Sequence, residues 1–143
     1  DYCQAREIPV LAQSSGAASP QGLPWGHPRP FGDVFKQFPK LRLIFGPTAL
    51  GGDEDMVKLA RAYPYVGCDL SMRLDELATG KTQPEYMVSL IRQMGIDRVL
   101  FGTNIPLVPL APSVKAFTDL PLTDAERESI ASTNFKRLVR EAA

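Results

Sequence analysis

The chain has few of the residues that build covalent or metal cross-links. Its 143 residues include two cysteines, Cys3 and Cys68, and one histidine, His27. The cysteines form no Cys-x-x-Cys pair, which argues against a disulfide scaffold and a cysteine zinc site and favours a reducing, cytoplasmic environment. No apolar run reaches the roughly 20 residues that a membrane span requires, so we expect no membrane partner.

Charge of one sign is not in excess either. Lys and Arg number 16 and Asp and Glu number 16, so the composition gives no basic footprint for nucleic acid. The hydrophobic fraction of 44% is typical of a soluble globular protein and argues against disorder. The length fits one domain, which we place at residues 1–143.

Four short apolar runs recur along the chain, at residues 8–13, 41–46, 66–71 and 98–103. Each is almost continuously apolar, as in strands that are buried on both faces of a parallel sheet. Helical spacing of apolar residues follows each run. The pattern therefore predicts an α/β fold of parallel βα units, either half of a TIM (β/α)₈ barrel or a small flavodoxin-like open sheet.

The helix boundaries carry their own signals. Pro39 is expected to end a short helix whose apolar stripe is Phe31, Val34, Phe35 and Phe38. Thr82 and Glu85 resemble a capping box, as do Thr123 and Glu126. For the last helix we expect one buried stripe, made of Ala131, Phe135, Leu138, Val139 and Ala142.

Two Pro-rich stretches, residues 14–30 and 104–121, follow the first and fourth runs and are expected to be loops. Long loops at the carboxyl ends of parallel strands hold ligands in α/β proteins. A site is therefore expected where Gln13, Thr48, Ser71 and Asn104 emerge from the sheet.

Five segments resemble the amidohydrolase-related proteins of the aminocarboxymuconate decarboxylase-like group, and they occur in the family's order. They are IPVLAQSSG at residues 8–16, FPKLRLIFG at 38–46 with Gly51 and Gly52 after it, YPYVGCDLS at 63–71, GIDRVLFGTNIP at 95–106 and the tail from LTDAE to NFKRL at 122–138. The resemblance implies the second four strands of a (β/α)₈ barrel. A full barrel takes roughly 250 residues, so the chain is expected to be the C-terminal half.

The family uses a divalent metal, usually zinc, held by histidines and an aspartate at the strand ends. Position by position, the histidines fall on Gln13 and on Pro47 or Thr48, and the aspartate falls on Asn104. Amides are weak, neutral metal donors. We therefore expect no metal ligand and no cofactor in this chain, and Asn104 cannot act as a general base.

Other side chains have a functional and a structural interpretation. His27 and Arg73 could bind a substrate, Arg73 by pairing with a carboxylate, although a lone loop histidine and a loop arginine are usually structural. Asp69 could face a ligand at a strand end, but a structural role is favoured because a buried carboxylate needs a partner. With Gln13, Thr48 and Ser71, His27 and Arg73 complete the candidate substrate-binding set.

The sequence therefore predicts an amidohydrolase-family segment, hydrolase or decarboxylase by ancestry, for a small carboxylated or cyclic substrate. It is expected to be inactive because the metal-ligand positions are neutral. The alternative is a half-barrel that binds a small molecule or a partner without catalysis. Because half a barrel leaves open strand edges, we expect a homodimer or a complementary N-terminal half-barrel as partner.

Overall fold

The four apolar runs form one parallel sheet. The computed structural model describes residues 1–14, 26–47 and 51–140. Its strands are β1 (Val10–Gln13), β2 (Leu43–Gly46), β3 (Val66–Asp69) and β4 (Val99–Leu100), hydrogen-bonded in chain order. The register pairs Gln13 with Gly46 and Asp69 with Leu100. A flavodoxin-like sheet has the order 2-1-3-4-5, so the sequential order favours consecutive units of a barrel.

Helices cover one face of this sheet and its ends. Their bounds are α1 (Tyr2–Ala5), α2 (Phe31–Gln37), α3 (Asp53–Ala62), α4 (Arg73–Ala78), α5 (Pro84–Met94), α6 (Leu110–Thr118), α7 (Asp124–Glu128) and α8 (Asn134–Arg140). A 3₁₀ turn (Ile96–Arg98) precedes β4, and a π-helical turn (Ser129–Thr133) joins α7 to α8. None of the helices in this described part of the chain has the length and apolar character needed to cross a bilayer.

Two predictions about helix ends have opposite outcomes. The capping box at Thr123 and Glu126 is confirmed, with each residue's backbone N–H bonded by the other's side chain. The one at Thr82 is wrong, because α5 begins after Gln83 and the Thr82 hydroxyl donates instead to Glu76, at 3.1 Å.

The stretch 104–121 is also not all loop. It contains α6, whose Pro112 lies in the first turn, where no intrahelical N–H is lost.

The two faces of the sheet differ in what covers them. One face packs against the helices, and its residues belong to the hydrophobic core: Leu43, Phe45, Val66, Cys68, Leu70 and Val99. The alternating residues form the opposite face, which we call the open face: Leu11, Gln13, Ile44, Gly46, Gly67, Asp69, Leu100 and Gly102. Leu43 and Leu70 therefore lie on the helix side.

The last helical segment caps the outer edge of β4. Leu70 N–H donates to Leu100 C=O within the sheet, so Val99 and Phe101 direct their backbone groups to the other side. There Phe101 N–H donates to Ile130 C=O at 2.8 Å, and Asn134 Nδ2 donates to the carbonyls of Val99 at 2.8 Å and Ile96 at 2.7 Å. The edge strand is thus paired by a helix instead of by another strand.

This cap explains why the predicted stripe of the last helix is wrong at Ala131 and Phe135. The π-helical turn rotates the chain, so that Ile130 and Asn134 are the buried residues while Ala131 and Phe135 are exposed. Leu138 is half-buried. The side chain of Val139 and the whole of Ala142 lie outside the described residues.

Candidate functional site

The candidate site lies at the carboxyl ends of the strands, on the open face. Gln13 ends β1, Asp69 ends β3, and Asn104 follows β4 after three further residues. Gln13 is exposed and Asn104 is half-buried. Thr48, the fourth predicted position, lies outside the described residues. The parallel register brings these strand ends to one edge of the sheet, as the loop pattern predicts.

Asp69 is the carboxylate of this edge. Its side chain lies between two glycines of the flanking strands: a Cβ on Gly46 would be 2.6 Å from Oδ2, and a Cβ on Gly102 would be 3.2 Å from Cγ. A side chain at Gly46 would collide with the carboxylate, and one at Gly102 would make a tight contact, so the two glycines make the room that Asp69 occupies. Burial raises the pKa of Asp69, and hydrogen bonds from Ser71 oppose that shift.

Ser71 fixes the orientation of this carboxylate. Its backbone N–H donates to Asp69 Oδ1 at 2.9 Å, and its hydroxyl donates to the same oxygen. Ser71 is buried, so both donors are shielded from water. Ser71, one of the predicted site residues, therefore contacts Asp69. Asp69 is the only carboxylate on strands β1 to β4.

Arg73 is placed differently from the loop arginine that the sequence suggests. It is the first residue of α4 and only 5% exposed. Its guanidinium pairs with Asp53 at the start of α3 and with Glu76, the latter at 2.9 Å. Tyr86 of α5 donates to the other oxygen of Asp53 at 2.7 Å. This network links α3, α4 and α5. It also occupies the Arg73 guanidinium, which is the group that was predicted to bind a substrate carboxylate.

His27 lies in the segment before α2, near the first turn of α3. Its Nδ1 accepts a hydrogen bond from Arg29 N–H at 3.2 Å and lies 3.9 Å from Asp55. An accepting nitrogen carries no proton for the carboxylate, so the second contact is not a hydrogen bond. Asp55 is instead paired with Arg29 at 3.5 Å and Lys58 at 3.5 Å.

A divalent metal does not fit the described residues as a complete site. Across residues 1–14, 26–47 and 51–140 no three His, Cys, Asp or Glu side chains converge. At the strand ends the donors are the carboxylate of Asp69 and the amides of Gln13 and Asn104. One carboxylate with two neutral amides falls short of the three protein ligands that catalytic zinc sites use.

The opposite end of the sheet holds a cavity of about 200 Å³, whose lining includes Arg42, Arg98 and Arg137. Their guanidinium groups are engaged: Arg42 pairs with Glu7 at 3.2 Å, Arg98 donates to the Tyr63 carbonyl at 3.0 Å, and Arg137 donates to the Asp97 carbonyl at 2.5 Å. These contacts join the ends of strands and helices, as expected for the amino-terminal end of such a sheet.

The glycines beside Asp69 are the part of the site that sequence reasoning missed. Gly46 lies next to Asp69 only because β2 and β3 pair in a particular register. The signal in the sequence is that Asp69 is the one acidic residue in the apolar run at 66–71 and that the preceding run, at 41–46, ends in Gly46. That signal gains meaning only when the pairing is known.

Comparison with known proteins places this geometry in a family. Residues 1–140 match the amidohydrolase family profile. No curated protein matches the chain significantly. An uncharacterised TIM-barrel protein of Bordetella bronchiseptica superposes with a TM-score of 0.83 at 25% identity, over 99% of this chain and 48% of that one.

Two solved decarboxylases share the fold. A 2,6-dihydroxybenzoate decarboxylase from Rhizobium has a TM-score of 0.68 at 16% identity, over 99% of this chain and 54% of its own. A dihydroxybenzoic acid decarboxylase from Polaromonas sp. JS666, solved with manganese and the inhibitor 2-nitroresorcinol, has a TM-score of 0.68 at 18% identity, over 99% and 52%. The chain spans about half the length of these structures. With a family match along nearly all of its residues and a TIM-barrel arrangement of strands and helices, the chain belongs to the amidohydrolase family.

Proposed function

We propose that this chain forms half of an amidohydrolase-type barrel and binds a small carboxylated or cyclic molecule at the carboxyl ends of its strands. In this proposal its own described residues do not carry out metal-dependent chemistry. One observation carries it: the strand-end surface presents the single carboxylate of Asp69 with the neutral amides of Gln13 and Asn104.

The residue chemistry supports binding over catalysis. Gln13 and Asn104 can each donate and accept hydrogen bonds, which suits a polar ligand, but an amide neither holds a divalent ion firmly nor takes up a proton near neutral pH. The two amides occupy the positions where the family resemblance places metal ligands. A barrel mouth lined by these two amides can hydrogen-bond a polar ligand. It lacks the negative charge that a metal ion needs from its ligands.

The second candidate is a hydrolase or decarboxylase that is active when another half-barrel supplies the metal ligands. Family membership favours it, and so does the likeness of fold to solved decarboxylases, one of which contains manganese. The chain spans about half the length of those structures. In this alternative, Asp69 and the amides of Gln13 and Asn104 complete a site whose ligands come from elsewhere.

Four of the eight open-face residues are buried already, namely Ile44, Gly46, Gly67 and Leu100, so the proposal needs a partner only for the exposed part at β1. The partner we propose is a second copy of the chain or a complementary N-terminal half-barrel, in the cytoplasm. Leu11 supports this part of the proposal, because it is an apolar side chain on the open face that is 67% exposed. The edge position of β1 among the described strands adds a second reason, because an exposed strand edge can pair with another chain.

The test combines mass, metal content and binding. Elemental analysis of the sizing-column peak is expected to find no stoichiometric metal, and calorimetry is expected to detect binding of 2,6-dihydroxybenzoate after treatment with a chelator. One zinc or manganese ion per chain in the peak, or binding that requires added metal, would contradict the proposal and favour the second candidate.

A gain-of-ligand variant sharpens this test. Gln13→His with Asn104→Asp restores a histidine and a carboxylate at the two strand ends, so its affinity for Zn²⁺ should exceed that of the parent by at least about tenfold. Gln37→His, at the exposed end of α2, is the matched control and should leave the affinity unchanged.

A further inference from the structure

The segment that follows β4 exposes several large apolar side chains. Residues 104–114 contain no charged residue, and Ile105, Leu107, Leu110 and Val114 are all exposed, Leu107 at 82%. We call these four residues the α6 patch. Exposed apolar residues that occur together mark interaction sites, whereas single ones need no explanation.

α6 is turned so that its polar residue faces inward and two of its apolar residues face outward. Ser113 is buried, and its hydroxyl donates to the Pro109 carbonyl at 3.1 Å. Leu110 and Val114, four residues apart, lie one above the other on an exposed side of the helix. A helix that packs against one core normally has the reverse arrangement. The pattern is therefore that of a helix with a second contact surface.

The core fixes this orientation. Phe117 and Leu120 belong to the hydrophobic core, and the Phe117 ring packs on Phe101 with 5.1 Å between centroids. Ahead of α6, the Asn104 carbonyl accepts a hydrogen bond from Leu107 N–H at 2.8 Å. The patch is thus held by a turn before the helix and by packed aromatic rings within it.

An apolar groove lies on the other side of α6. Its volume is about 280 Å³, and its walls include Leu77, Pro84, Ala116 and Leu120. Ala116 follows Val114 by two residues and therefore lies about 200° around the helix from it. We call this recess the α6 groove. One helix thus carries an apolar ridge on one side and an apolar recess on the other.

The charges beside the groove are paired within one copy of the chain. Among the described residues, Lys115 and Asp119 are the charged ones that line it, and Lys115 Nζ bonds Asp119 Oδ2 at 2.6 Å. Two copies that approach through α6 therefore bring together no unpaired charge from this helix or its C-cap. This favours identical partners, because a two-fold contact uses the same surface of both copies and must be complementary to itself.

Two other occupants fit the patch less well. A membrane surface would favour basic residues beside the apolar ones, and the basic residue of α6 is the paired Lys115. A complementary half-barrel would adjoin the open face and the strand edges. α6 lies instead in the helix layer, where it packs against α4 and where Phe117 joins the core.

We propose that the α6 patch is a self-association surface: in a two-fold pair, the patch of each copy lies in the α6 groove of the other. The contact is apolar on both sides and its charges are already paired. It uses neither the strand-end residues nor Leu11, so it is separate from the proposed binding site and from the partner proposed at β1.

Sedimentation of the whole chain at micromolar concentration tests the patch. Leu107→Glu combined with Leu110→Glu would bring two carboxylates into the apolar groove of the other copy, so this patch variant should have half the mass of the parent assembly. Phe135→Glu adds the same charge at an exposed apolar residue of α8. It is the matched control and should leave the mass unchanged.

A second variant tests the groove. Ala78→Arg fills the groove from an exposed position at the end of α4, and by itself it should also halve the mass. An equimolar mixture with the patch variant should restore the pair, because one of the two contacts is then unaltered and the other places Glu opposite Arg. Circular dichroism checks that each variant is folded.

Several results would overturn the inference. These are a monomeric parent, a patch variant that keeps the parent's mass, and a mixture that does not reassociate. Loss of association in Leu11→Glu, with both α6 variants unaffected, would assign the contact to β1 instead. Binding of a monomeric parent to phosphatidylcholine vesicles would assign the patch to a membrane. Binding of 2,6-dihydroxybenzoate enters none of these results, so the proposed function is tested separately.

Discussion

The two faces of the sheet use the same strands for different purposes. On the helix side, alternating residues such as Phe45 and Val66 are buried in the core. On the open face, the residues between them include Gly46, Gly67 and Asp69. Because successive side chains of a strand point to opposite faces, one short apolar run can serve both stability and ligand binding.

The open face also differs from the interior of an ordinary barrel. Barrel interiors are filled by layers of bulky branched side chains, and Ile44 and Leu100 follow that pattern. Near the carboxyl ends, however, Gly46 and Gly102 replace such residues and leave the room that Asp69 occupies. The glycines at this edge adjoin a carboxylate, whereas Gly67, farther from the edge, adjoins the backbone carbonyl of Arg98. Substitutions on the two faces test this difference.

The largest effect is expected on the helix side. Phe45 is fully buried and its ring makes an edge-to-face contact with Phe31 at 4.9 Å between centroids. Phe45→Ala should lower the free energy of unfolding by about 3–5 kcal/mol, measured by urea denaturation. A loss below about 1 kcal/mol would mean that the helix-side face is not the main core.

A smaller loss of stability is expected when a side chain is added at Gly46. In Gly46→Ala the new Cβ would lie 2.6 Å from Asp69 Oδ2, so the carboxylate must move, at a cost of about 1–3 kcal/mol. Adding Asp69→Ser should recover part of that loss, which a double-mutant cycle measures as a coupling. Gly32→Ala is the matched control, because nothing lies within 4 Å of its Cβ. Purely additive losses would show that the two positions do not touch.

The third effect depends on pH. The pKa of Asp69 in the folded chain is raised above 3.8, so in the window between the unfolded and folded pKa values the folded chain binds more protons. Stability should therefore fall as pH rises through that window. Asp69→Asn lacks this titration, so the difference in melting temperature in its favour should grow with pH and then level off. A difference that does not change with pH would contradict a raised pKa.

The smallest effect on stability is expected at Leu11. Because its side chain is largely exposed, Leu11→Ser should change the free energy of unfolding by no more than about 0.5 kcal/mol. If the ligand of the proposed site contacts Leu11, the same substitution should weaken binding of 2,6-dihydroxybenzoate severalfold. A large loss of stability would show that Leu11 is already covered by the chain itself.

Much of the fold could be predicted because its signals are local. The apolar runs around Leu43 and Val66 became β2 and β3, and the capping box at Thr123 and Glu126 begins α7. The errors arose where one signal competed with another. Prolines pointed to a loop where α6 forms, and regular helical spacing pointed to Phe135 where the π-helical turn buries Asn134 instead.

The site could be predicted only in part, because it depends on pairing. Strand ends identified the edge at which Gln13, Ser71 and Asn104 lie. They did not reveal that Gly46 would face Asp69, since that follows from the register of β2 on β3. Nor did they reveal that Arg73 would be buried, which requires the positions of Asp53 and Glu76 in space.

Because of the helical cap on β4, the two edges of the sheet differ in how readily a further strand can pair with them. A strand that joined at β4 would have to displace the Asn134 amide and the Ile130 carbonyl from Val99 and Phe101, whereas β1 is bonded through Val10 and Ser14 to β2 alone among the described strands. Closing a ring from two identical copies would require that displacement twice. Addition at β1 requires none, but a closed barrel leaves no strand edge unpaired. Any partner that completes the ring must therefore also displace the cap from β4.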